Sequence, residues 1–129
     1  MKSYNTIENE ETSEILEKKS KFIANIMYID KVEEAEAKLE EIRKKYYDAR
    51  HNCYAYRVID SNKSIIDRSS DDGEPSGTAG SPMLNILKKE ELCNVLVVVT
   101  RYFGGILLGT GGLVRAYSQA TQDVIHKSR

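Results

Sequence analysis

Phe22, Ala24, Ile26 and Tyr28 alternate with a more mixed set of neighbours, the period-two pattern of a strand with one apolar face, within the stretch Glu14 to Ile29. An earlier strand around Tyr4 to Glu10 is expected to pair with it. Val32, Ala35, Leu39, Ile42 and Tyr46 then recur at spacings of three and four with Glu and Lys between them, which predicts an amphipathic helix ending near Asp48. From Asn52 to Asp60 the chain is rich in aromatic and β-branched residues and reads as a strand, followed by a turn at Ser61-Asn62-Lys63 and a short strand over Ser64 to Arg68. Ser81 as N-cap and Pro82 as first helical residue predict a helix to about Glu90, with Met83, Ile86 and Leu87 inward. Asn94 to Thr100 is apolar without alternation, hence a strand buried on both faces that delivers Arg101 to the rim of the sheet. Leu113, Ala116, Tyr117, Ala120, Val124 and Ile125 form the stripe of a last helix. This order predicts an α+β fold, a two-layer sandwich with a mixed sheet and helices on one side.

Glycine and proline sharpen that picture. All eight glycines and both prolines fall in two loops, Gly73 to Pro82 and Gly104 to Gly112, so special backbone geometry is confined to two places. The first, Asp71-Asp72-Gly73-Glu74-Pro75-Ser76-Gly77-Thr78-Ala79-Gly80-Ser81-Pro82, is also acidic and rich in hydroxyls, the composition of a built site in an otherwise regular chain.

The 129 residues fit one domain. No apolar run approaches the ~20 residues of a membrane span, and Met1 to Glu8 has no signal-peptide core, so a cytoplasmic location without membrane partners is expected. Cys53 and Cys93 lack CxxC spacing and read as reduced packing residues. Nineteen basic against 20 acidic residues give a net charge of −1, poor footing for strong non-specific binding to polyphosphate. Any nucleic-acid contact must therefore be local. Lys18, Lys19 and Lys21, and Arg43, Lys44, Lys45 and Arg50, read as two solvated basic faces.

Candidate chemistry gathers at His51 to Tyr56, in the acidic loop, and from Thr100 through the second glycine loop. Helix starts near Pro82 and Leu113 would offer free N–H groups to a phosphate or carboxylate, with Arg101 or Arg115 as a guanidinium clamp. The alternative is that the arginines pair with Asp71, Asp72 or Glu74. Those three acids match no complete EF-hand, so capping roles are expected and no metal. His51 beside Ser76 or Thr78 would suggest nucleophilic catalysis, but neither hydroxyl sits in a nucleophile elbow. Tyr54, Tyr56, Tyr102 and Phe103 would stack on bases or fill the core. His51, Asp72, Glu74 and Arg101 are expected to approach one another, with Gly104 or Gly105 in a backbone geometry closed to other residues. Arg101, at a strand end facing a cleft, is expected to contribute little to stability.

Taken together, His51-Asn52-Cys53-Tyr54-Ala55-Tyr56, Asp71 to Gly80 and Arg101-Tyr102-Phe103-Gly104-Gly105 resemble the Impact/YigZ family, over nearly the whole chain from Ser20 to Tyr117. The resemblance implies a ribosomal-protein-S5-domain-2-like fold, shared with a translation elongation factor domain and small-molecule kinases, and a family linked to translational regulation. It also implies that bacterial members carry a ferredoxin-like second domain after this one, whereas this chain stops at Arg129. Fold alone does not assign function. Two readings follow. One is a cytoplasmic binding module of translational regulation, contacting RNA, the ribosome or a protein factor through a cleft of His51, Asp72, Glu74, Ser76, Thr78, Arg101, Tyr102, Gly104, Gly105 and Arg115, with an anion such as phosphate as candidate ligand and no cofactor. The other is an enzyme, or remnant of one, acting on a phosphorylated small molecule in the same cleft.

Overall fold

The computed structural model describes residues 4–129. Its elements are β1 (Glu11–Glu17), β2 (Ser20–Tyr28), α1 (Val32–Lys45), β3 (His51–Ile59), β4 (Ile65–Ser70), α2 (Gly80–Lys89), β5 (Val95–Tyr102) and α3 (Gly109–Lys127). They form an α+β domain. No helix is long and apolar enough to cross a membrane.

The five strands lie in the order β1-β2-β5-β3-β4, and every ladder between them is antiparallel. The expected mixed sheet is thus corrected. β2, α1 and β3 do resemble a parallel crossover unit, since β2 and β3 both run antiparallel to β5. The crossover, however, skips one strand position, and β5 fills the gap. Parallel pairing is limited, among the described residues, to a lone bridge between Asn5 and Leu92.

β5 also explains why the helices are not all on one side. Val95, Val97 and Val99 pack under α2 and α3 with Phe22, Ala24, Ile26, Cys53 and Ala55, while Leu96 and Val98 pack under α1 with Tyr56 and Val58. A strand covered on both faces gains nothing from polar alternation, hence its continuous apolar run. The domain has three layers, α1, sheet and α2/α3, rather than the two expected.

Smaller differences have local causes. The first strand begins at Glu11, not Tyr4, and β1 is a polar edge strand in which Ile15 packs against the core. α2 begins at Gly80 with Ala79 as N-cap, so Ser81 lies inside the helix. All six stripe residues of α3 are buried, and this helix starts at Gly109, four residues before Leu113.

Candidate functional site

β3 and β5 run side by side with His51 opposite Arg101, so both side chains emerge on the α2/α3 face at one end of the sheet. The acidic loop closes that end from β4, and the segment 103–108 closes it from β5. Between them lies Glu74, whose side chain is 3% exposed, too little for water to solvate an ionised carboxylate. The Arg101 Nη1 donates to both Glu74 oxygens, at 2.9 and 3.1 Å. The Tyr117 hydroxyl donates to Oε2 at 2.5 Å, and His51 Nε2 stands 3.6 Å from Oε1. Arg101 is itself buried, its guanidinium carbon 5.6 Å from the Phe22 ring and 5.5 Å from that of Phe103. Its Nη2 donates to Ser20 Oγ at 3.4 Å.

The rest of the acidic loop is equally engaged. Asp72 accepts from the Asn52 backbone N–H at 2.7 Å, and its carbonyl contacts His51 Nδ1 at 2.8 Å. Asp71 accepts from the N–H groups of Gly77, Ala79 and Gly80 at 2.9, 3.1 and 2.8 Å. Burial opposes ionisation of Asp71, but the bonds from Gly77, Gly80 and Ala79 outweigh it and hold the carboxyl below its ordinary pKa. The positive end of α2, where an external anion was expected, is thus capped by the chain's own carboxylate. Cys53 donates to the Asp71 carbonyl at 3.1 Å, and burial pushes its thiol up to about 12. Burial, with Cys53 and Glu74 alongside, likewise raises the Tyr117 phenol far above its usual range, so it remains a donor to Glu74.

The structure therefore brings together His51, Asp72, Glu74 and Arg101, joins Gly104 to them through Ser20, and separates Ser76, Thr78, Tyr102 and Arg115 from His51 and the Glu74–Arg101 pair. Thr78 is buried and donates to the Pro75 carbonyl at 2.6 Å; Ser76 is exposed, and no hydrogen bond joins either hydroxyl to His51 among the described residues. Tyr102 alternates to the α1 face, where its hydroxyl donates to Asp48 at 2.7 Å. Arg115 is exposed on α3 and lines a shallow cavity of about 260 Å³ with Glu17, Lys18 and Leu108. Gly104 lies against the β1–β2 turn so closely that a Cβ would sit 1.9 Å from the Lys19 carbonyl oxygen, and its N–H donates to Ser20 Oγ at 3.2 Å. Gly105 has φ +90° in open space.

Sequence reasoning missed Tyr117, Ser20 and Phe22 as members of this cluster. Tyr117 carried a signal: a tyrosine rather than a phenylalanine in a buried stripe needs a partner for its hydroxyl.

The Impact N-terminal domain family model matches residues 18–125. The IMPACT family member YvyE of Bacillus subtilis (strain 168) is 47% identical over 121 residues, covering 94% of this chain and 55% of that protein. A crystal structure of a hypothetical protein superposes with a TM-score of 0.90 at 41% identity, covering 96% of this chain and 60% of the other. The structure of the two-domain translational regulator Yih1 superposes with a TM-score of 0.63 at 28% identity, over 98% of this chain and 49% of that one. The chain spans about half the length of the relatives it matches.

Proposed function

The chain belongs to the Impact N-terminal domain family, and from that premise we propose that it is a binding module of translational control, engaging a component of the translation machinery through the end of the domain where its two glycine-bearing loops meet. Translational control implies a cytoplasmic location. The observation that carries this reading is the saturation of Glu74. Its two oxygens are taken by Arg101 and Tyr117, with His51 beside them, and both neighbouring aspartates are committed to backbone N–H groups. Carboxylates matched internally in this way fix the loop geometry, with Arg101 Nε the one buried cluster nitrogen left without a partner among the described residues. Cys53, the nearest thiol, is buried and protonated at neutral pH. Rigid loops are, by contrast, what a binding surface needs, because ordering is completed before the partner arrives.

Co-sedimentation of the purified domain with ribosomes, with a tRNA filter-binding assay alongside, tests the proposal. Saturable, salt-sensitive binding to either is expected. No binding, together with turnover of a phosphorylated metabolite, would replace it with the enzyme reading.

A further inference from the structure

The segment from Phe103 to Leu108 crosses the tip of the domain with three large apolar side chains outward: Phe103 is 53% exposed, Ile106 42% and Leu107 82%. The backbone beneath them is held on both sides. Gly104 rests on the Lys19 carbonyl and is bonded to Ser20, Arg101 lies against the Phe103 ring, and Leu108 is buried in the α2/α3 core. The exposure is therefore a property of a positioned loop, and apolar groups gathered on a fixed surface mark an interaction site.

Three cations border this tip. Lys19 lies directly under Gly104, and Lys18 and Arg115 line one cavity with Leu108. All three are exposed, and none forms an ion pair among the described residues. Only one acid, Glu17, lines that cavity. Lys18 and Lys19 also form the two-residue β1–β2 turn, at φ 46° and 66°. A turn of this hand favours Asn-Gly, so the chain places two lysines where the backbone suits them poorly.

We propose that this tip docks a protein segment carrying bulky apolar side chains flanked by carboxylates. The inference rests on the reading of the chain as a binding module and names its partner's chemistry. Apolar burial supplies affinity, and the cationic rim selects an acidic sequence and speeds its encounter. Bare RNA would use the lysines and leave Ile106 and Leu107 exposed to water, so a protein segment fits the surface better.

The probe is a fluorescent synthetic peptide in which leucine and phenylalanine alternate with glutamate, compared with its lysine-for-glutamate counterpart and an oligo-uridine RNA. The acidic peptide is expected to bind and its basic counterpart not. Leu107→Ser should weaken binding about tenfold, and Lys18→Glu/Arg115→Glu should abolish it. The double variant Lys18→Asn/Lys19→Gly should weaken binding while raising Tm, a pairing that misfolding would not produce. RNA binding that Leu107→Ser leaves unchanged, with no peptide binding, would overturn the inference in favour of a nucleic-acid surface. Ribosome co-sedimentation without peptide binding would overturn the inference and leave the binding-module reading intact, whereas peptide binding without any ribosome or tRNA binding would support the docking surface and sink the translational assignment.

Discussion

Arg101→Ala should be among the most damaging single substitutions in this domain, the reverse of the expectation for a side chain reaching into an open cleft. It removes the guanidinium paired with Glu74 and leaves a carboxylate with 3% of its side chain exposed, held by Tyr117 and an imidazole 3.6 Å away. Breaking a buried pair from one side costs about 3–5 kcal/mol, because the remaining charge keeps its desolvation penalty. A 129-residue domain has an unfolding entropy near 0.27 kcal/mol/K, so Tm should fall by roughly 11–18 °C. The assay is thermal unfolding at neutral pH followed by circular dichroism. Arg101→Met/Glu74→Gln, which removes both charges and keeps an acceptor for the Tyr117 hydroxyl, should recover more than half of the loss. A Tm for Arg101→Ala within about 3 °C of the parent would refute the reasoning and mark Arg101 as held for a ligand instead.

Gly104→Ala and Gly105→Ala should separate by cause. The first forces a Cβ into the Lys19 carbonyl and should cost about 3 kcal/mol, the second only strains a positive φ at about 1 kcal/mol, both read from urea midpoints. The depressed pKa of Asp71 contributes stability that is present above the ordinary carboxylate pKa and lost as pH falls through the folded value. The stability gap between parent and Asp71→Asn should therefore narrow on acidification below about pH 4, and a gap that widens would contradict the sign. Cys53 should stay unreactive toward DTNB at neutral pH until the domain unfolds, since its thiol is buried with a pKa pushed up to about 12; rapid labelling of the native protein would oppose this.

Where periodicity was strong, sequence and structure agree. The stripes of α1 and α3 and the apolar run of β5 are local patterns, and they became the elements they predict. Strand order was not legible, because inserting β5 between β2 and β3 is a long-range event that no local period encodes. The same limit applied to the site. Charge and glycine in two loops pointed to His51, Asp72, Glu74 and Arg101, which do meet. The burial of Glu74 and Arg101 was not foreseeable: it depends on Phe22 and Tyr117, which arrive from β2 and α3 and pack edge to face at 5.2 Å beside the pair. Nor did the sequence distinguish an anion bound at α2 from Asp71 folding back to cap it.

Under the proposed function, the buried cluster builds the end of the domain and the exposed tip does the binding. Ribosome co-sedimentation of two folded variants, Arg101→Met/Glu74→Gln and Leu107→Ser, tests this most directly. The cluster variant, despite a lower Tm, should retain binding at a temperature where it is folded, and Leu107→Ser should keep its Tm and lose affinity about tenfold. Undiminished binding by Leu107→Ser, together with loss of binding by the folded cluster variant, would contradict it and make the Glu74–Arg101 pair the ligand site.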